Sequence, residues 1–154
     1  MRGPRSRPRS SLRRLGFLDK LLLGGGKLKP ELREAIESEG LVLIEEGLSG
    51  SVRYTHFKAP GKRFNGKVTP MRMGIGISED RCVVYGRAQL VDSKFTAPNW
   101  DWVDIGVHDE NKVSFVVDYD RGDEKNISGQ IEIQAKTPNA ARIVEELEKR
   151  LGRA

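Results

Sequence analysis

Short segments in which apolar and polar residues alternate run from Leu41 to Lys136, and one amphipathic helix pattern closes them. Alternation with period two is typical of a strand with one buried face, whereas apolar residues three and four positions apart indicate a helix. Turn residues separate successive segments, which predicts hairpins and an antiparallel sheet. The predicted fold class is α+β and mainly antiparallel β: a small barrel or sandwich of about seven strands, with a short N-terminal helix and a C-terminal helix that caps it.

Three strand segments carry specific predictions. LVLIEEGL and SVRYTHF are assigned to two strands that turn around Gly50. The second of them is expected to alternate between two faces, with Val52, Tyr54 and His56 on one and Arg53, Thr55 and Phe57 on the other. In WDWVDIGV, Trp100 and Trp102 are expected to point away from the face of Val103. In MRMGIGI, Gly74 and Gly76 share one face, which indicates a bend or close packing.

Two helices flank the strand region in this prediction. PELREAIESEG has Pro30 in its first turn and Gly40 at its end, as a short helix does. In TPNAARIVEELEKRLG, Thr137 is predicted to cap the helix and Gly152 to end it. The helix carries one apolar stripe, formed by Ala140, Ile143, Val144, Leu147 and Leu151. We expect this stripe to pack against an open end of the strand barrel.

The basic residues are distributed unevenly and divide the chain into three parts. The net charge is +5, and six arginines with no acid lie within residues 1–14. These are Arg2, Arg5, Arg7, Arg9, Arg13 and Arg14. Residues 1–14 are predicted to be a disordered tail, residues 15–40 an N-terminal helical segment, and residues 41–152 the β domain with its C-terminal helix. Because the tail carries the excess charge, the β domain is near neutral and the net charge says nothing about its binding face.

The compartment is predicted from the one cysteine and from the N-terminal residues. Cys82 lies in the strand segment CVVY, where a buried core thiol is expected, and a single cysteine excludes an intramolecular disulfide. We predict a cytoplasmic protein that associates peripherally with a membrane. The segment LRRLGFLDKLLL is too short and too charged to span a bilayer, and Asp19 and Lys20 exclude a secretory signal. Three alternatives fit the N-terminus: an organelle transit peptide, a basic disordered tail, and an upstream start codon that adds non-native residues.

Four basic residues crowd one predicted hairpin loop of ten residues. They are Lys58, Lys62, Arg63 and Lys67, with Phe57 and Phe64 among them. Such a loop suits a phosphate head group or an anionic membrane, and the alternative is a solvated loop with spread charges. The loop also matches the phosphate-loop spacing GxxxxGK. Because Val68 replaces the magnesium-binding hydroxyl and a strand follows, nucleotide binding is not predicted.

The remaining chemistry-bearing residues predict no catalytic residue, metal site or cofactor. Trp100 and Trp102 lie beside Asp101 and Asp104, and they either line a ligand groove or pack beneath a helix. The acidic segment Asp118–Asp123 lacks the turn glycine and distal glutamate of a calcium loop. Asn126 begins a glycosylation sequon, which matters only in a secreted protein.

The segment GIGISEDRCVVYGR, residues 74–87, reads as a strand, a serine-containing turn, an arginine and an apolar strand. Together with the meander after it and the helix AARIVEELEKRL, it resembles the pleckstrin-homology-like superfold, including bacterial and GRAM-like domains. The resemblance covers residues 41–151 and consists mostly of topology. It implies a non-enzymatic adaptor that binds anionic lipids, peptides or partner proteins. It also implies that the basic residues of an early loop contact the head group, and those of matching type are Lys58, Lys62, Arg63 and Lys67. The tighter lysine and arginine spacing of the family is missing.

Three functions follow as hypotheses. The preferred one is a non-enzymatic binding module whose partner is an anionic membrane lipid or an acidic protein. The second is a small-molecule-binding or enzymatic barrel that uses the region of Trp100 and Trp102. The third is association with nucleic acid through residues 1–14 alone. The oligomeric state does not follow from the sequence.

Overall fold

The structure, a computed structural model, describes residues 26–87 and 89–153. The predicted tail at residues 1–14 and the first part of the segment at 15–40 lie outside these ranges. The described helices are α1 (Pro30–Ser38) and α2 (Ala140–Leu151). The described strands are β1 (Leu41–Ala59), β2 (Lys62–Phe64), β3 (Val68–Ser78), β4 (Arg81–Tyr85), β5 (Gln89–Lys94), β6 (Val103–His108), β7 (Lys112–Asp118) and β8 (Ser128–Lys136). The predicted α+β class with a mainly antiparallel sheet is confirmed.

The strands form one curled antiparallel sheet in the order β5-β4-β3-β1-β8-β7-β6. The short β2 pairs with the end of β1 and lies off this path. Seven strands therefore make up the sheet proper, as predicted. The long first strand lies at its centre, between β3 on one side and β8 on the other. We call the face that carries the main core the inner face and the opposite face the outer face.

The prediction of two strands that turn at Gly50 is wrong, because β1 is one strand of 19 residues. Gly50 lies within the strand, where a Cβ atom would be 2.3 Å from the carbonyl oxygen of Gln134. The glycine is thus needed for the close approach of β1 and β8 rather than for a turn. The bends of β1 occur instead where its register shifts, near Gly47 with φ of 71° and His56 with φ of 49°.

The irregularity at His56 reverses the expected faces at the end of β1. An extra residue in a strand moves every later side chain to the other face. Phe57 is therefore buried and His56 exposed, the reverse of the prediction from alternation. Gly129 on β8 permits this arrangement, since it has φ of 89° and a Cβ atom there would lie 2.2 Å from the carbonyl oxygen of His56.

Helix α2 packs on the inner face through the predicted stripe. Ala140, Ile143 and Leu147 are fully buried and share one core with β-strand residues such as Phe115. The helix contacts β6 and β7. It begins at Ala140, so Thr137 lies before its start, contrary to the predicted cap.

The Thr137 hydroxyl nevertheless shapes the entry to α2. It accepts a hydrogen bond from the Asn139 amide at 3.0 Å and donates one to Glu45 on β1 at 2.6 Å. The helix ends at Gly152, as predicted, and this glycine adopts the left-handed conformation.

Helix α1 packs on the outer face of β3 and β4. Its Ile36, together with Leu28 and Val83, forms a second, smaller core. Gly76 makes room for this contact, because a Cβ atom there would lie 2.9 Å from the Leu28 side chain. The glycines of β3 were predicted to mark either a bend or close packing, and close packing is confirmed. Within the described residues, neither helix is long and apolar enough to cross a bilayer.

Candidate functional site

Three of the four basic residues predicted to lie in one loop are on strands: Lys58 on β1, and Lys62 and Arg63 on β2. We call residues 58–67 the basic hairpin. Lys58 on β1 is paired with Arg63 on β2, and Phe57 is paired with Phe64. The pairing places Lys58 and Arg63 directly opposite each other. Like charges in this position repel, so the arrangement is favourable only when solvent or a bound anion screens them.

A short turn closes the hairpin. Ala59 pairs with Lys62, which leaves only Pro60 and Gly61 between the strands. Proline sets the φ angle of the first turn residue, and Gly61 has φ of 74°, as the second position of a type II turn requires. The position of Lys62 is therefore fixed close to Lys58 and Arg63.

Three of the four predicted basic residues come together at one open depression. Its volume is about 520 Å³, and it is lined by Lys58, Ala59, Pro60, Lys62, Arg63 and Asn126. All three basic side chains are exposed. In the described part of the chain, none of them forms an ion pair with a carboxylate. The depression is thus a concentrated positive surface that lacks internal neutralisation.

Lys67 does not line this depression. Its Nζ atom lies 4.3 Å from the centroid of the Phe64 ring, in cation–π geometry. The segment that carries it folds back onto β1, where the Tyr54 amide donates to the Lys67 carbonyl oxygen at 2.9 Å. Lys67 therefore packs along the flank of the basic hairpin rather than joining its cationic centre.

An aromatic cluster of Tyr54, Phe57, Phe64, Tyr119 and Trp102 lies beneath the basic hairpin. Ring centroids lie 5.0 Å apart between Tyr54 and Phe64, and 6.4 Å apart between the stacked rings of Phe57 and Phe64. Tyr119 contacts Phe57 at 6.0 Å and Trp102 at 6.1 Å. Each such pair adds about 0.5–1.5 kcal/mol beyond the burial of its area, so the cluster fixes the hairpin to the domain.

Sequence reasoning missed two residues of this site, Tyr119 and Asn126. Both belong to the connection between β7 and β8, more than fifty positions away from the basic hairpin along the chain. Burial raises the pKa of the Tyr119 hydroxyl, and Glu124 and Tyr54 raise it further. Asn126, considered only as a glycosylation sequon, lines the basic depression. The local sequence does not indicate either residue, because the pairing of β8 with β1 is what brings both of them next to the basic hairpin.

The two tryptophans lie in a 3₁₀ turn, Pro98–Trp102, and not in a strand. The prediction that both point away from Val103 is wrong for Trp100, which is 3% exposed and shares the main core with Val103. The reason is the period of three in a 3₁₀ turn, which brings residues i and i+3 to one side. The indole N–H of Trp100 donates to the Lys94 carbonyl oxygen at 2.9 Å.

The tryptophan region forms only a small depression. Both indoles line it, beside Leu90, Val91 and Tyr119, and its volume is about 120 Å³. The neighbouring Asp104 pairs with Arg121 at 3.2 Å, and Arg121 also donates to the backbone oxygen of Asp101. The Asp104 carboxylate and the backbone of Asp101 thus hold Arg121, which joins β6 and the 3₁₀ turn to the connection after β7.

The acidic segment Asp118–Asp123 shapes its own turn. Asp118 accepts a hydrogen bond from the Asp120 amide at 3.1 Å, and Asp120 accepts one from the Gly129 amide at 3.0 Å. Among the described residues, no group of three or more histidine, cysteine, aspartate or glutamate side chains is arranged to hold a metal ion. The GxxxxGK segment opens no helix, since residues 62–64 form β2 and residue 68 begins β3.

Cys82 is a buried core thiol, as predicted. Burial, reinforced by Asp92, raises the pKa of its thiol to about 12. Because the thiolate is the reactive form, we expect no reaction of the native protein with Ellman's reagent between pH 7 and pH 9, and full reaction in denaturant. Rapid labelling of the native chain, with a rate that rises over this pH range, would contradict the burial of Cys82.

Comparison of the sequence with known protein families found no matching family model. A comparison with curated proteins likewise found no matching relative.

Proposed function

We propose that this chain is a non-enzymatic binding module of pleckstrin-homology-like fold that attaches to anionic phospholipid through the basic hairpin. The observation that carries the proposal is the convergence of Lys58, Lys62 and Arg63 on one depression, where no described carboxylate forms an ion pair with them. Unpaired cations at an exposed rim suit the phosphate groups of a lipid surface. The attachment is peripheral and electrostatic, and an acidic protein surface is the competing partner.

Three further observations support this proposal. The antiparallel meander closed by a C-terminal helix is the arrangement that the resemblance implies. The aromatic cluster packs the basic hairpin against the domain, so the backbone that carries the three basic residues is held in place. The buried thiol of Cys82, with its raised pKa, is also unsuited to nucleophilic catalysis.

Co-sedimentation with vesicles tests this proposal. The full chain is mixed with vesicles of phosphatidylcholine alone or of phosphatidylcholine with phosphatidylserine. We expect binding only to the anionic vesicles, and we expect it to fall as salt is raised. In the double variant Lys62→Glu/Arg63→Glu, the partition coefficient is expected to drop by at least about 30-fold, since each basic residue near an anionic surface contributes about 1 kcal/mol.

A matched control separates the basic hairpin from net charge. The variant Arg142→Glu/Lys149→Glu makes the same change of charge on the exposed side of α2, where neither residue has an ion-pair partner among the described side chains. It should bind nearly as well as the original chain. Equal binding by both double variants would assign attachment to another part of the chain and would refute the role of the hairpin.

A further inference from the structure

A second basic site lies on the outer face near the middle of β1, whereas the basic hairpin lies at the C-terminal end of that strand. The strand register places one row of side chains across the sheet. Ser49 is paired with Arg72 on β3, and Lys112 on β7 is paired with both Lys136 on β8 and His108 on β6. Gly50 on β1 pairs with Ala135 on β8. The next positions of this antiparallel register are therefore Ser49 on β1 and Lys136 on β8, which lie opposite each other.

Two lysines of this row face each other directly. Like charges in opposed positions on neighbouring strands destabilise a sheet, since their Cβ atoms are only about 5 Å apart. Lys136 is exposed and forms no ion pair with a described carboxylate, while Lys112 is 3.9 Å from the largely exposed Asp109. A bound anion would remove this repulsion.

The groups around the two lysines form an open polar depression. Its volume is about 240 Å³, and it is lined by Ser49, Gly50, Ser51, Lys112, Gln134 and Lys136. None of these described lining residues is a carboxylate. The amide nitrogen of Gln134 donates to Glu132 at 3.0 Å, whereas the hydroxyls of Ser49 and Ser51 form no hydrogen bond with a described side chain or backbone group. The Lys136 ammonium and two hydroxyl donors are therefore available to one ligand, and Lys112 adds a second ammonium whose contact with the exposed Asp109 is long, at 3.9 Å.

The floor of the depression is rigid. At Gly50, β1 and β8 approach so closely that a Cβ atom would collide with the backbone of Gln134. The strand ladders on both sides hold Ser49, Ser51 and Lys136 at fixed spacing. The short serine side chains on this rigid sheet lose little conformational entropy when a ligand binds.

We propose that this depression, the outer-face site, binds the phosphate group of a water-soluble phosphate monoester. Lysine ammonium groups bind phosphate as point charges, and serine hydroxyls supply hydrogen bonds to its oxygens. The site goes beyond the proposed attachment to lipid. Between Ser51 and Lys58 the strand rises roughly 20 Å, so the outer-face site and the basic hairpin are separate along β1.

Titration of the full chain with inorganic phosphate, followed by ¹⁵N–¹H NMR, tests the site. We expect saturable shifts of the amide signals at Ser49, Gly50, Ser51, Lys112 and Lys136. The variant Lys136→Gln should weaken binding about tenfold, and Lys112→Gln/Lys136→Gln should abolish the saturable shifts. Because these changes remove repulsion at the surface, the double variant should remain folded, and its spectrum checks this. Potassium chloride at equal ionic strength should produce no saturable shift.

The control Lys62→Gln/Arg63→Gln separates this proposal from the lipid proposal. It should retain the phosphate shifts at the outer-face site even if it no longer binds vesicles. Glycerol 3-phosphate should reproduce the shifts, whereas vesicles with phosphatidic acid should not require Lys112 and Lys136. Phosphate shifts that chloride reproduces, or that persist in the Lys112→Gln/Lys136→Gln variant, would overturn the outer-face site.

Discussion

Replacing Gly50 by alanine is expected to lower the free energy of unfolding by more than about 4 kcal/mol, or to prevent folding altogether. A Cβ atom at this position would lie 2.3 Å from the Gln134 carbonyl oxygen and 2.8 Å from the Met73 sulfur. The methionine side chain can rearrange, but the backbone oxygen belongs to the ladder between β1 and β8. The two central strands would have to separate to admit a single methyl group.

Gly106→Ala provides the matched control in the same sheet. Gly106 lies on β6, its φ is not in the left-handed region, and a Cβ atom there would have no neighbour within 4 Å. Alanine at this position should leave stability unchanged or raise it by about 0.4–1 kcal/mol. Urea unfolding followed by circular dichroism compares the two variants. Equal stability of both would show that β1 and β8 are farther apart at Gly50 than the structure places them.

Gly50 also illustrates what the sequence can predict and what it cannot. A glycine between two alternating segments is the usual sign of a turn, and sequence alone does not distinguish a turn from a close approach of two strands. The distinction depends on Gln134, which lies 84 positions farther along the chain. Alternation and periodicity predicted the strands and both described helices, because these are local properties of the sequence.

The faces of residues beside irregular backbone were not predictable in the same way. A bulge at His56 reverses the alternation, and a 3₁₀ turn at Trp100 replaces period two with period three. Both features depend on tertiary partners: Gly129 opposite His56, and the Lys94 carbonyl oxygen that accepts the hydrogen bond of Trp100. The local sequence pattern does not indicate either of these tertiary partners.

The two candidate sites also differ in whether neighbouring residues in the sequence or distant ones form them. Lys58, Lys62 and Arg63 are close in sequence, so their cluster was predictable, although its contact with Asn126 was not. The outer-face site combines residues of β1, β7 and β8 that only the register brings together. A charged residue in each of two separate strands carries no signal of pairing until the register is known.

Replacing Leu147 by alanine is expected to lower the free energy of unfolding by about 3 kcal/mol, within the usual range of about 2–5 kcal/mol for a buried leucine. Leu147 has no exposed surface and lies in the main core with Ile143 and Phe115. The melting temperature should fall by roughly 6–12 °C in a domain of this size. Glu145→Ala, on the exposed side of the same helix, should change stability by less than about 0.5 kcal/mol.

The same variant determines whether α2 is an integral part of the domain. The core is continuous from α2 through β7 to the inner face of β1, so helix and sheet should unfold together. Near-ultraviolet circular dichroism reports the packing of Trp100 in the sheet core, and far-ultraviolet circular dichroism reports the backbone as a whole. The two transitions should coincide in both the original chain and Leu147→Ala. A loss of less than about 1 kcal/mol, or two separate transitions, would contradict the shared core, since a fully buried leucine in such a core contributes more than this.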